Sequence, residues 1–267
     1  MASIPAKAPA LLSAERRREL HRRLVRRGSI RIAEEAQGFG TSEETIRRDI
    51  RALAAEGIAE SVFGGAVLRT ESGLQPGVPP MRERLQHEAK AAIGAAAARL
   101  VEPGQSVVLD AGTTTLAVAR HLSRHRDLTF ITNSLAVADV TAAALGSSTY
   151  VIGGKLVSES MSLVGPQAQR DLADLNADWA FIGAAAIDRN GSFSSADLYE
   201  AEVKRAMIRA AERVAIVADA TKFGFRRFVS FAGPADIQWL LTTPGAPQAG
   251  LDDFAGSDVT VVICEPE

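Results

Sequence analysis

The chain has 267 residues, more than one domain usually holds, and is 46% hydrophobic but only 5% aromatic, an aliphatic balance that excludes a disordered chain. The net charge of −2 is unevenly divided: residues 1–70 carry 13 Lys+Arg against 9 Asp+Glu, and residues 71–267 carry 17 against 23. The single cysteine, Cys264, excludes an internal disulfide framework and a cysteine-rich metal site, and suits a buried strand position in a reducing compartment.

The opening MASIPAKAPALLSAERRRE lacks an apolar run of signal-peptide length, and nowhere do about 18 apolar residues follow one another. A cytoplasmic protein without a membrane partner is expected. The Ala/Pro-rich residues 1–13 are expected to fray. A first helix then spans about Ala14–Arg26, with Leu20, Leu24 and Val25 as its apolar stripe. Arg16, Arg17, Arg18, Arg22, Arg23, Arg26 and Arg27 occupy its other faces, as a solvated basic surface or as a footprint for nucleic acid.

A second helix, about Ile32–Gln37, ends at Gly38-Phe39-Gly40. Thr41 with Glu44, or Ser42 alone, caps a third helix in which Ile46, Ile50 and Leu53 point inward. Thr45, Arg47, Arg48 and Arg51 are left outside. Arginines on a short capped helix suit the major groove, because a guanidinium binds guanine O6 and N7 bidentately or clamps phosphate. Gly57 stops this helix, and Ile58–Val62 and Ala66–Leu68 flank Phe63-Gly64-Gly65 in a hairpin, either a DNA-contacting wing or a support under the helices. Domain bounds of 14–69, a Pro/Gly-rich linker at 70–80 and a second domain at 81–267 follow.

In the second domain a helix at about 82–101 precedes Val107-Val108-Leu109, a turn, and a further helix. The cycle returns at Leu128–Thr132, Tyr150–Ile152, Trp179–Ile182, a helix near Glu200–Ala211, Val214–Val217, Leu240–Thr242 and Val259–Cys264. Apolar strands without polar alternation, separated by helices, predict an α/β domain with a mostly parallel, Rossmann-like sheet covered on both faces. In such sheets ligands bind outside the carboxyl ends of the strands. Polar groups gather at those ends: Asp110, Gly112, Thr113, Thr114 and Thr115; Asn133; Gly153 and Gly154; and Lys222. The Gly112–Thr115 turn is either an anion cradle at a helix start or a simple cap, and it has neither P-loop nor GxGxxG spacing. Lys204 is either a cation for the crevice or an i, i+4 partner of Glu200.

The front segment resembles the DeoR-type winged helix-turn-helix regulators through Arg16, Leu20, Leu24, Ser42-x-x-Thr45-Ile46-Arg47-Arg48-Asp49-Ile50, Gly57 and Gly64-Gly65-Ala66. Ser61 and Phe63 stand where members commonly have a basic residue and a histidine. The likeness continues through Asp110-x-Gly112-Thr113-Thr114, Thr132-Asn133-Ser134, Gly153-Gly154, Asp178-x-Ala180-Phe181-Ile182-Gly183, Glu200-x-x-x-Lys204-Arg205-x-Met207 and Asp219-x-x-Lys222-Phe223-Gly224, runs similar to the DeoR sensor domain. That resemblance implies an N-terminal winged helix-turn-helix followed by a sensor domain similar to ribose-5-phosphate isomerase. It also implies a repressor of a sugar or sugar-alcohol catabolic operon, with a double-stranded DNA operator and a phosphorylated sugar as partners. DNA binding falls to Ser42, Thr45, Arg47, Arg48 and Arg51, and effector binding to the strand-end groups with Glu200 and Lys204. Paired half-sites imply a homodimer or homotetramer. No cofactor, metal or catalytic residue is expected. The alternative is a phosphosugar isomerase-like enzyme with a DNA-binding arm, for which Asp110, Glu200 and Asp219 are available bases but form no recognisable catalytic set.

Overall fold

A computed structural model describes residues 13–27, 29–56, 58–62, 64–68, 86–158 and 160–266. Residues 1–12, the linker at 70–80, the helix stop expected at Gly57, and Phe63 lie outside them. The chain divides into two compact units, residues 1–82 and 83–267.

In the first unit α1 (Ser13–Arg27), α2 (Ile32–Phe39) and α3 (Glu43–Ala55) pack on an antiparallel sheet of order β1-β3-β2, with β1 Ser29–Arg31, β2 Ala59–Val62 and β3 Gly65–Leu68. The spacing of Ile46, Ile50 and Leu53 sets one face of α3 against Leu20 and Leu24 of α1, Ile32 and Ala36 of α2, and Ile30, Ala59 and Ala66 of the sheet. Burying each of the larger side chains contributes about 1.5–3 kcal/mol. Helix α2 continues two residues past its expected end, because Gly40 (φ 61°) rather than Gly38 supplies the left-handed closing residue.

Strand β1 was not expected. At three residues it is too short to show alternation, and it exists because the hairpin accepts it. Arg31 pairs with Gly65, where a Cβ would lie 2.2 Å from the Ile30 carbonyl oxygen, so only glycine lets the two backbones approach.

The second unit begins with α4 (His87–Ala98) and β4 (Ser106–Leu109). Then follow α5 (Thr113–Leu122), β5 (Thr129–Thr132), α6 (Leu135–Thr141) and β6 (Ser148–Val151). A hairpin of β7 (Lys155–Val157) and β8 (Ser162–Val164) leads to α7 (Pro166–Ala173) and β9 (Ala177–Gly183). After β10 (Ala186–Ile187) and β11 (Phe193–Ser195) come α8 (Leu198–Arg209), β12 (Ala211–Val217), β13 (Val229–Ala232), β14 (Trp239–Thr242), α9 (Gln248–Asp252) and β15 (Thr260–Ile263).

Seven strands form one parallel sheet in the order β15-β14-β12-β9-β4-β5-β6. Alternate residues feed opposite cores, which explains the unbroken apolar runs. Val107, Leu109, Phe130, Phe181, Ala215, Val217 and Leu241 share a cluster with Ile93 of α4, Val118 and Leu122 of α5 and Val137 of α6. Val108, Ile131, Ile182, Val214, Ile216 and Leu240 instead join Ala168 and Leu172 of α7 and Val203 and Met207 of α8. Cys264 is buried, one residue past β15 rather than within it. The β7–β8 hairpin and an antiparallel sheet of order β10-β11-β13 add to the expected strands; the latter folds the segment after Lys222 back beside the start of α8.

Strand order reverses between β4 and β9. Connections from these strands leave to opposite sides, and at such a point in an open α/β sheet ligands bind outside the carboxyl ends of the strands.

Candidate functional site

The outer face of α3 carries the candidate nucleic-acid contacts. Ser42 is its cap: the Oγ accepts a hydrogen bond from the Thr45 amide at 3.3 Å and lies 2.8 Å from Thr45 Oγ1. Arg47 donates to Glu43 at 3.1 Å and Arg51 to Glu44 at 3.3 Å, with all four side chains largely exposed. Such pairs are worth about 0–1 kcal/mol, so phosphate or a base edge readily replaces the glutamate. Arg48 is exposed, and among the described residues it has no ion-pair partner.

The neighbouring Asp49 has a different task. It is buried and accepts a 2.6 Å bond from Arg16 Nε, tying α3 to α1. Arg23 similarly bridges Glu19 at 3.2 Å and the buried Glu35 at 2.8 Å, and its guanidinium lies 4.2 Å from the Phe39 ring centroid. The basic helix therefore holds the unit together through Arg16 and Arg23. Sequence spacing alone does not distinguish these arginines from the exposed Arg18 and Arg22.

In the second unit Asp110 directly follows β4 and is buried at the β4/β9 reversal. Its Oδ2 accepts the Gly183 amide at 3.0 Å and pairs with Lys204. Lys204 also donates to the Gly183 carbonyl at 2.9 Å and lies 5.4 Å from the Phe231 ring centroid. Of the two roles open to Lys204 in sequence, pairing with Glu200 is not the one adopted. Glu200, whose amide is capped by Asp197 at 2.9 Å, accepts from Ser195 Oγ at 3.2 Å. Burial pushes the Asp110 carboxyl above the ordinary range, the adjacent Lys204 pulls it down, and the charge of Glu200 pushes it up again.

Helix α5 opens beside this group. Gly112 sits at its N-cap with no side-chain cap, leaving the amides of Thr113, Thr114 and Thr115 to the general anion preference of a helix start. Thr115 Oγ1 donates to the Gly112 carbonyl at 2.9 Å. Gly183 faces both groups: a Cβ there would meet Asp110 Oδ2 at 3.4 Å and Thr115 Cγ2 at 3.9 Å.

Asn133 ends the next strand, β5. Its Nδ2 donates to the Leu163 carbonyl at 3.0 Å, while its buried Oδ1 has no hydrogen-bond partner among the described residues. Gly153 and Gly154 follow β6, one strand further out. The Gly153 amide is held by Asp171 at 2.9 Å, and a Cβ on Gly154 would lie 2.5 Å from the Val164 carbonyl oxygen, so the pair anchors the β7–β8 hairpin. Lys222 lies on a short 3-10 turn after β12, capped by Asp219 and two strands from β4 on the other side. Direct contacts thus join Asp110, Lys204 and Gly183, with Glu200 and the Thr115 side chain beside them; Asn133 is one strand away and Gly153, Gly154 and Lys222 are two. Ser195 and Phe231 are additional members. They come from short strands with no motif of their own, and no sequence signal marked them.

The sequence description "DeoR-like helix-turn-helix domain" matches residues 16–72, and "DeoR C terminal sensor domain" matches residues 85–243. The chain belongs to the DeoR family. This DeoR-family protein is a DNA-binding transcriptional regulator with a sensor domain. It is 32% identical over 253 residues to the "Putative aga operon transcriptional repressor" of Escherichia coli O157:H7, covering 94% of each chain. It is 32% identical to the "HTH-type transcriptional repressor CsqR" of Escherichia coli K12, covering 90% of this chain and 91% of that one. With the "Transcriptional repressor AccR" of Agrobacterium fabrum it shares 35% identity, over 78% and 80% of the two chains.

Among solved structures, D-ribose-5-phosphate isomerase in complex with phospho-erythronic acid aligns at 15% identity and TM-score 0.39, covering 51% of this chain and 54% of that one. Ribose 5-phosphate isomerase A from Methanocaldococcus jannaschii aligns at 15% and 0.38, covering 52% and 55%. The DeoR-family chain thus spans about half the length of those isomerase chains. Among the described residues no helix is long and apolar enough to cross a membrane, and no three His, Cys, Asp or Glu side chains form a metal-binding group.

Proposed function

We propose that the chain represses a sugar or sugar-alcohol catabolic operon and leaves its operator when a phosphorylated sugar metabolite fills the crevice between β4 and β9. The observation that carries this reading is the buried Asp110–Lys204 pair, with Glu200 beside it, next to the uncapped amino end of α5. Burying two charges costs several kcal/mol per ion before their attraction offsets it, so the pair is poorly explained by stability alone. The printed names of the full-length relatives, repressors including one of an operon, support the regulatory half of the reading.

The division of labour follows from the charge and place of each group. The phosphate goes to the amides of Thr113, Thr114 and Thr115 beyond Gly112 and to the hydroxyls of Thr113 and Thr114, with Lys222, two strands away, as the cation. Sugar hydroxyls go to Asp110, Glu200 and the Asn133 Oδ1. Lys204 fixes Asp110 instead of binding the phosphate, and Gly153 and Gly154 shape the wall behind. On DNA, Arg47, Arg48 and Arg51 reach the major groove, while Ser42 and Thr45 lie at the helix start where a phosphate passes.

Two copies hold two recognition helices at half-site spacing. Effector binding favours an arrangement with poorer spacing, which requires unequal effector affinity for the two arrangements.

A thermal-shift screen against phosphosugars tests the proposal. One compound at a hundred times its Kd raises stability by about 2.7 kcal/mol, and its unphosphorylated parent does not. Equal response to parent and phosphate contradicts the phosphate assignment.

A further inference from the structure

The parallel sheet has two edges, and they are protected differently. β15 is flanked by Asp258 on one side and Glu265-Pro266 on the other, residues that discourage strand addition. Residues 146–154, which contain β6, include no charge and no proline. Sheet order ends at β6, so among the described residues no strand pairs with its outer side. Tyr150 and Val151 of β6 are 60% and 47% exposed, and Leu145 before the strand and Leu156 beyond it are 66% and 43% exposed.

We propose that β6 pairs antiparallel with β6 of a second copy of this chain, joining the two sheets into one. The inference rests on the reading of paired DNA-reading units above, which leaves the pairing surface open. The backbone sets the register. Ser148 and Ile152 direct their amides into β5, toward the Leu128 and Thr132 carbonyls at 3.0 and 2.8 Å. Alternate residues of a parallel ladder face opposite neighbours, so Thr149 and Val151 turn N–H and C=O outward. A two-fold axis at Tyr150 sets Thr149 opposite Val151 of the second copy, and the reverse, which satisfies all these outward groups. Tyr150 then faces Tyr150 of the second copy.

The same axis brings Leu145, before β6, toward Leu156 of the second copy, beyond its β6. It also brings Lys155 toward Asp127, which lies against Gly146 at the start of the strand. Apolar area and charge are thus both self-complementary, as a two-fold interface requires. The four apolar side chains offer about 400 Å² per copy, half of the ~800 Å² per partner of a standard interface, and the backbone and polar flanks add to it.

Sedimentation velocity of the full chain at micromolar concentration tests the pairing. The unmodified chain is expected to be a dimer or an even-numbered assembly. Tyr150→Lys and Tyr150→Glu each place like charges across the axis and weaken association at least tenfold, and an equimolar mixture of the two restores it. That restoration requires folded chains, so it separates a lost interface from a lost fold. Phe228→Asp, on the separate exposed aromatic surface of Phe225 and Phe228, leaves association unchanged. A monomeric unmodified chain, association indifferent to both Tyr150 variants, or dissociation by Phe228→Asp overturns the proposal. A monomer that still loses operator affinity on adding phosphosugar defeats the β6 pairing alone, whereas a dimer with no phosphosugar response defeats the effector reading alone.

Discussion

Arg48 and Asp49 stand side by side in the sequence and do opposite work, one exposed toward solvent and the other buried against Arg16. Replacing Arg48 with alanine is expected to cost about 1–3 kcal/mol of specific DNA affinity, if its contact is a good bidentate one, with the melting temperature unchanged. Asp49→Ala is expected to lower the melting temperature, because it removes the ion pair that ties α3 to α1. Anisotropy titration with operator DNA beside a thermal melt separates the two; a melting loss in Arg48→Ala contradicts the assignment. The inward positions of α3 were legible from spacing, and so was the exposed arginine face. The Arg16–Asp49 tie was not, because it joins residues 33 apart through packing of two helices.

Lys204 gives a second residue-scale prediction. Lys204→Met leaves Asp110 buried without its cation and should cost about 3–5 kcal/mol in denaturant unfolding at neutral pH. Its carboxyl then rises further, so the folded state holds a proton that the unfolded state releases. The loss therefore shrinks as pH falls and grows as pH rises through the folded value. Adding Asp110→Asn to Lys204→Met recovers part of it. An unchanged unfolding curve for Lys204→Met shows that the pair is not a buried unit.

Among the elements, the central strands are readable in sequence because each buries both faces and so appears as an apolar run. β1, β7, β8, β10 and β11 are not readable: two or three residues carry no period, and β1 and β11 also pair with the more distant β3 and β13. The amino ends of β4 and β9 show how such pairings are fixed. Asp178 accepts from the Ser106 amide at 2.8 Å and from its hydroxyl at 2.7 Å, while the Asp178 amide donates back to Ser106 Oγ at 3.0 Å. The Ser106 amide and hydroxyl, with help from Arg213, hold the Asp178 carboxyl below its usual range despite some burial. A depressed carboxyl contributes stability above the unfolded value, and that stability is lost as pH falls through the folded one. Asp178→Asn should therefore cost about 1 kcal/mol at pH 7, a figure kept small by solvent screening, with the difference vanishing as the pH falls through the folded value. A pH-independent difference in urea midpoints contradicts this origin.

At the scale of the whole molecule, the uneven charge already separated a basic front from an acidic back, and helix-strand periodicity indicated the α/β class. The strand-end polar groups were legible as such, but the identity of Lys204's partner and the arrival of Ser195 and Phe231 depend on topology that no local pattern encodes. Both units belong to one DeoR-family regulator, and the claim linking them is that the crevice controls the arginine face. That claim is tested most directly by operator affinity, measured by anisotropy with and without a saturating phosphosugar that stabilises the protein. The account predicts a roughly 5–150-fold weakening of DNA binding, with operator DNA weakening phosphosugar binding by the same factor. Operator affinity that stays the same at saturating phosphosugar would contradict it.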